Sequence, residues 1–416
     1  MPTYLSPGVY VEEVPGGARP IESVGTSTAG FVGVAPDPGA HVHEAVAISS
    51  WTQFLREFSS RDRSTSTFLS HAVYGFFLNG GGRCYVVNLG TDETLVGDGR
   101  GRKGLAVLEE VDEVAIVAAP GFTDAASHDA LISHCEKLRD RVAILDPPQV
   151  VGNLDLLKRV ATASATRRPP APAATGEGPA APPETAPAAV GLRPRQSDGG
   201  YGAFYFPWIV VQDPLSPSDR VNVPPSGHLA GIYARVDGTR GVQKAPANEL
   251  VRGATDLTYQ VTHEEQGELN QAGVNCIRYF STEGIRVWGA RTVASTSSEW
   301  RYLNVRRLFN MIEESIARST RWVVFEPNDI TLWKAIRRDV NAYLTLLWRQ
   351  GALMGRTPEQ AFFVQCDEET NPQEVIDAGM VVIVIGLAPV KPAEFVVFRM
   401  SQGVANTQVE PQGAMR

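Results

Sequence analysis

Phe68-Leu-Ser-His-Ala-Val-Tyr-Gly-Phe-Phe-Leu-Asn-Gly-Gly-Gly-Arg-Cys-Tyr-Val-Val-Asn-Leu89 carries two periodicities back to back. Phe68, Leu69, Ala72, Val73, Phe76 and Phe77 recur at helical spacing. Asn79-Gly80-Gly81-Gly82 stops that helix. Cys84–Leu89 is then an almost unbroken apolar run of strand length, as a strand covered on both faces requires.

Working outward, the same texture repeats. Ala29-Gly-Phe-Val-Gly-Val-Ala35 reads as a buried strand and Trp51–Phe58 as a short helix. Val114–Ala118 and Val142–Leu145 are two more strands, with a helix over Ala125–Arg139 between them. This alternation predicts an α/β fold with a parallel sheet covered by helices on both sides. A helix is expected near Leu154–Val160, and strands at Tyr205–Val211 and around Ile232–Val236. Ala247–Leu269 mixes polar residues with turns. Asn275–Phe280 and Ile285–Trp288 form a hairpin pair.

Between Pro169 and Ala189, 15 of 21 residues are Pro or Ala. Such a segment buries too little apolar surface to offset its ordering entropy, so a disordered loop is expected over about 164–200. After Ser297 the texture becomes α+β. Trp300–Ser319 is amphipathic, with Val305, Leu308, Phe309, Ile312 and Ile316 on the apolar face. Arg306, Arg307, Glu313 and Arg318 fall largely on the other faces, which reads as a solvated surface. Glu314 sits four residues before Arg318. A second helix starts after Pro327, capped by Asn328 or Asp329. It buries Trp333, Ile336, Val340, Tyr343, Leu344 and Leu347 and ends at Gly351. Three β segments follow, at Ala361–Gln365, Met380–Leu387 and Glu394–Met400.

The ends are extended. Pro2, Pro7, Pro15 and Pro20 forbid a helix, and Val9-Tyr10-Val11 is β-prone. From Thr3 to Gly16 such an arm spans roughly 45 Å at about 3.3 Å per residue. The division expected is an arm over 1–20, an α/β core over 21–297, an α+β region over 298–393 and a second arm with a tail over 394–416.

Several chemistries find no support. A net charge of −8 argues against nucleic acid as the main partner. Met1–Val14 has neither a basic n-region nor an apolar h-region, and no apolar stretch is long enough to cross a membrane, so a cytoplasmic protein without membrane insertion is expected. Cys84, Cys135, Cys276 and Cys366 are far apart and read as buried free thiols. His41 and His43 share a strand-like spacing but lack further ligands, and His128 and His134 do not share a helix face, so no metal and no cofactor are expected. Gly99-Arg-Gly-Arg-Lys-Gly104 lacks the Ser or Thr of a phosphate loop. Gly25-Thr-Ser-Thr-Ala29 superficially matches a subtilisin-like nucleophile segment, but Ser27 precedes a strand near the N-terminus, in the wrong order for a triad. An enzyme is therefore not expected, nor an ATP-driven motor.

The stretch Tyr4-Leu-Ser-Pro-Gly-Val-Tyr-Val-Glu-Glu-Val14 resembles the opening of contractile tail sheath proteins. So do Arg19–Thr26, Ala29–Gly33, His71–Gly82, Val142-Ala-Ile-Leu-Asp-Pro-Pro148, Tyr302–Ile316 and Phe325–Gly355. The variant looks closest to the sheaths of phage-like contractile injection systems that bacteria encode; the Pro/Ala loop departs from the family pattern. The resemblance implies a core related to subtilisin without its catalytic residues. It implies subunits stacked as hexameric rings around an inner tube protein, bounded by baseplate and cap proteins, in a metastable helix whose contraction drives the tube into a target. Assembly would take place in the cytoplasm, with lysis as a route of release.

It also implies that each arm adds a strand to a neighbour's sheet. Tyr4, Val9, Tyr10 and Val11 are then the N-terminal donor, and Phe395, Val396, Val397 and Phe398 the C-terminal one. Phe362, Phe363 and Val364 with Val381, Val382, Ile383, Val384 and Ile385 are the acceptor sheet. Arg306, Arg307, Glu313 and Glu314 are candidates to meet the tube. A static tail protein, such as a terminator, is the competing structural reading.

Overall fold

The computed structural model describes residues 20–59, 65–91, 95–96, 101–161, 191–216 and 218–395. Its hub is β1 (Ala29–Gly33), every residue of which is buried. The chain runs on through β2 (Ala45–Ile48), α1 (Trp51–Phe58), α2 (Phe68–Leu78) and β3 (Cys84–Asn88). It then forms β4 (Ile116–Ala118), α3 (Ala125–Leu138), β5 (Val142–Leu145), α4 (Asp155–Lys158) and β6 (Gly202–Phe206). β3, β1, β4, β5 and β6 lie side by side and parallel, with Phe31 opposite Val86 on one side and Ala118 on the other.

The solid apolar runs are explained by this burial. Ala29 and Phe31 face a cluster built with α1 and α2, whereas Val32 faces the opposite cluster under α3. α1, α2 and α3 each start where a polar side chain accepts from orphan backbone N–H groups: Ser50 from Gln53, Thr67 from Ser70, and Asp124 from Ala126 and Ser127.

Three expectations are corrected here. The expected strand Tyr205–Val211 is two strands. Pro207 cannot donate to a ladder, so β6 ends and β7 (Ile209–Gln212) leaves to pair with β8 (Arg220–Val223) in a separate small sheet. The expected strand at Ile232–Val236 lies inside α5 (Ser226–Arg240). α5 is buried nearly all round, so it shows no amphipathic stripe. It crosses α2 at glycines: a methyl on Gly227 would collide with Ala72, one on Gly231 with Phe76, and one on Gly75 with His228. Lastly, 191–200 is ordered. Arg193 bridges Val160, Arg195 pairs with Glu136 and Asp129, and Ser197 donates to Glu136 at 2.6 Å. The Pro/Ala-rich stretch itself, 162–190, lies outside the described residues.

Beyond α5 come β9 (Glu249–Leu250), β10 (Ala254–Leu257), which joins β7, and α6 (His263–Gln271), a helix the polar composition hid. The hairpin forms as expected, β11 (Val274–Phe280) against β12 (Gly284–Trp288); β11 joins the large sheet parallel to β6, and β12 and β9 extend it to its edge. All four cysteines are buried free thiols.

The remaining chain packs as a third cluster. α7 (Leu303–Ser319) and α8 (Ile330–Arg349) enclose Leu308, Ile312, Trp333, Ile336, Val340, Tyr343, Leu344 and Leu347. Asp329 caps α8 by accepting from Thr331 and Leu332. Gly351, at φ +78°, turns the chain away. α9 (Pro358–Ala361) leads into β13 (Phe362–Gln365), and α10 (Gln373–Asp377) precedes β14 (Val384–Leu387). Ile21, near the first described residue, is buried in this same cluster rather than in the sheet core.

Candidate functional site: a two-stranded sheet and two arm roots

β13 and β14 pair antiparallel, Phe362 opposite Leu387 and Val364 opposite Ile385. Among the described residues this sheet has two strands only, so each strand keeps one unpaired edge. A two-stranded ribbon is marginal alone, and an unpaired edge is a template for an added strand. One face rests on the helices: Phe362 is buried, and Val364, Ile383 and Ile385 pack beside it. The other face is open, with Phe363 and Val384 exposed.

Of the expected acceptor residues, Phe362, Phe363, Val364, Val384 and Ile385 lie in the ladder. Val381, Val382 and Ile383 precede it in extended chain. There Asn371 holds Val382 by accepting from its N–H at 2.7 Å and donating to its carbonyl at 3.1 Å. Tyr4, Val9, Tyr10, Val11, Val396, Val397 and Phe398 lie outside the described residues. Phe395 is the last described residue, 74% exposed and outside any described strand.

The roots of both arms are gripped. Ser23 Oγ lies 3.1 Å from Tyr343 Oη, the Val24 N–H donates to Ser315 Oγ at 3.0 Å, and Thr26 Oγ1 donates to Asp237 Oδ2 at 2.6 Å. At the other end, Arg291 donates Nε and Nη2 to Glu394 at 2.9 and 2.6 Å. Tyr302 Oη donates to the same carboxylate at 3.3 Å. Burial alone would raise the Glu394 carboxyl; the hydrogen bonds and charge of Arg291 outweigh it and hold it below its ordinary value.

The expectation that Arg306 and Arg307 sit on a solvated face is overturned. Each is 3% exposed. Arg306 lies over the Trp300 ring at 4.1 Å and donates to Asn310 at 2.7 Å. Arg307 donates to both oxygens of Asp237, at 2.9 and 2.5 Å, and lies 4.9 Å over the Tyr233 ring. A buried guanidinium needs partners: Arg306 finds Asn310 and Glu313 on its own helix and the rings of Trp300 and Tyr201, whereas Arg307 takes a bidentate carboxylate from α5. Spacing along one helix cannot reveal partners supplied by another segment. Glu313 is half exposed and Glu314 pairs with Arg318.

A cavity of about 780 Å³ opens at the carboxyl ends of β1 and β4, lined by Ser66, His71 and Arg220 among others. Its serine donates directly to the Asp213 carboxylate, and His71 Nδ1 has no partner among the described residues. Those contacts are not the serine–histidine–carboxylate relay of a nucleophilic site. Ser27 lies in irregular chain before β1.

Two family profiles match the chain: the phage tail sheath protein central domain over 195–293 and the phage tail sheath C-terminal domain over 295–403. The tail sheath protein of Vibrio phage KVP40 is 29% identical over 177 residues, 42% of this chain and 26% of that protein. A putative prophage major tail sheath protein of Pseudomonas aeruginosa UCBPP-PA14 is 26% identical over 198 residues, 47% of this chain and 49% of that one. The chain thus spans about a quarter to a half of the length of these curated relatives.

Solved structures match it nearly end to end. The contracted PVC sheath complex of an extracellular contractile injection system has 30% identity, covers 97% of this chain and 99% of that one, and superimposes with a TM-score of 0.73. The contracted helical sheath of the anti-feeding prophage has 31% identity, covers 96% and 100%, and gives 0.71. These matches define a structural class of protein rather than an enzyme. The chain belongs to the contractile tail sheath family.

Proposed function

We propose that this chain is the sheath subunit of a contractile injection particle. It polymerises as stacked hexameric rings around an inner tube, and neighbours are linked by strand exchange through their terminal arms. The observation that carries the reading is the β13–β14 ribbon with two unpaired edges, in a chain whose two arm roots are anchored firmly. Val9–Val11 of one neighbour and Phe395–Phe398 of another are the strands that complete it. Each added strand contributes a few net hydrogen bonds at about 0.5–1.5 kcal/mol apiece, plus the burial of side chains such as Phe363 and Val384.

Solved relatives come from contracted sheaths and from a baseplate, which supports a contracting role with a baseplate partner; a cap protein at the far end belongs to the same proposal. The particle assembles in the cytoplasm and is released by lysis. A subtilisin-related core without catalytic residues fits the parallel sheet. Energy for contraction is stored in the assembled lattice, small differences per subunit summing over many copies. On α7 the tube contact is left to Glu313, half exposed beside its partner Arg306, and to Glu314, since the guanidinium groups of Arg306 and Arg307 are buried.

Removing residues 1–14 tests the reading. The truncated subunit is expected to stay folded, with an unchanged circular dichroism spectrum, and to form no sheath in electron micrographs. Sheaths of ordinary length from the truncation would overturn it.

A further inference from the structure

Both arm roots fasten to one helix. The N-terminal root reaches α7 at Ser315, which accepts from the Val24 N–H, and at Arg307, which donates to the Thr26 carbonyl at 3.0 Å. The C-terminal root reaches the same helix at its start. Asn304 donates to the Val390 carbonyl at 3.0 Å, and Tyr302, the residue before α7, donates to Glu394. Asn304 and Ser315 lie about 17 Å apart along the axis at 1.5 Å per residue. Thr28 is tied to the sheet, its carbonyl accepting from the Ala115 and Ile116 N–H groups at 3.0 and 3.2 Å, but Ile21 to Ser27 form no strand ladder, and their hydrogen bonds run through side chains.

Among those contacts one is different in kind. Asp237, on α5, takes two hydrogen bonds from Arg307 and one from the Thr26 hydroxyl, so a single carboxylate joins the arm root, α7 and the sheet core. The pair is almost wholly buried, at 3% and 4% side-chain exposure. Arg307 stacks on Tyr233, whose hydroxyl meets that of Tyr205 on β6 at 2.5 Å, so the junction is continuous with the parallel sheet. Charge-assisted bidentate bonds shielded from water resist exchange with solvent far better than exposed pairs do.

We infer that α7 is the strut connecting a subunit's two arms, and that the Asp237–Arg307–Thr26 junction is the latch keeping the N-terminal root from peeling when a neighbour pulls on the arm. This rests on the reading of the arms as links. Without the latch, residues 20–27 can strip away as far as Thr28, lengthening the arm by roughly 26 Å at about 3.3 Å per residue. A link slackened by that much no longer holds adjacent rings in register while they rotate.

The test uses full-length chains assembled into sheaths around their tube. Asp237→Asn keeps the shape of the junction and removes its charge; Thr26→Val removes only the hydroxyl. Ile336→Val, in the α7–α8 core, serves as a control that lowers stability without removing a hydrogen bond of either root. Ring number per sheath is counted in electron micrographs before and after contraction is triggered with guanidinium.

Extended sheaths of the latch variants are expected to have the wild-type ring number. Their contracted sheaths are expected to be fragments with at most half as many rings, whereas the Ile336→Val control stays whole and Thr26→Ser restores intact sheaths. Contracted sheaths of wild-type ring number from Thr26→Val and from Asp237→Asn overturn the latch; if Asp237→Asn does not fold, Thr26→Val alone decides. The truncation of residues 1–14 separates this from the reading beneath it. If that truncation polymerises normally, the arms are not links at all. If it fails to polymerise while the latch variants contract intact, the arms stand and the latch falls.

Discussion

Arg307 and Asp237 are 70 residues apart in the chain and 2.5 Å apart in the fold. In the sequence, Arg306-Arg307 reads as two charges on a solvated helix face, because nothing local supplies the carboxylate that buries Arg307. Val340 and Ile336, by contrast, were legible, since helical spacing alone places them inward. Asp146 is a second buried charge that spacing hides. It accepts from the Ser226 N–H at 3.0 Å and from its hydroxyl at 2.6 Å. Burial pushes its carboxyl from an ordinary 3.8 up to about 7, against those hydrogen bonds. The folded value lies above the unfolded one. Its contribution to stability is therefore complete below about pH 4 and lost as the pH rises through about 7. Thermal midpoints of wild type and Asp146→Asn, measured from pH 4 to 8, should show the wild type falling relative to the variant. A constant difference across that range would contradict the assignment.

Elements were legible where burial is one-sided or where a strand is buried on both faces, and illegible where a helix is buried all round. β1, β3 and β5 announce themselves as apolar runs flanked by breakers. α5 does not, because Gly227 and Gly231 let it press against α2 and leave no polar stripe. α6 was missed for the opposite reason: only Leu269 of its nine residues is buried. The close crossing makes a direct prediction. Gly231→Ala forces a methyl into the Phe76 backbone and should destabilise the subunit by about 1–3 kcal/mol, as overpacking does. Chemical denaturation measures it. Gly238→Ala on the same helix meets nothing within 4 Å and should be neutral or stabilising.

For the whole molecule, composition exposed the Pro/Ala interruption but misplaced its end. Arg193 and Arg195 belong to the ordered body, through Ala272 and through Glu136 and Asp129. The Ala161 N–H donates to the Arg193 carbonyl at 2.7 Å, so the chain returns close to where it left. Replacing 162–190 with a few glycines should leave the thermal midpoint within a few degrees and sheath assembly intact, because loop length costs little free energy. Extending the deletion through Arg195 should lower the midpoint clearly. Equal behaviour of the two deletions would mean that the Arg193 and Arg195 contacts contribute nothing.

Among the described residues the β13–β14 ribbon has two strands only, beside two anchored arm roots. Electron cryomicroscopy of the assembled sheath at side-chain resolution tests the account most directly. A four-stranded sheet is expected at each ribbon, with Val9–Val11 from one neighbour and Phe395–Phe398 from another as the added strands. A ribbon still two-stranded in the polymer, with the arms packed elsewhere, would contradict it.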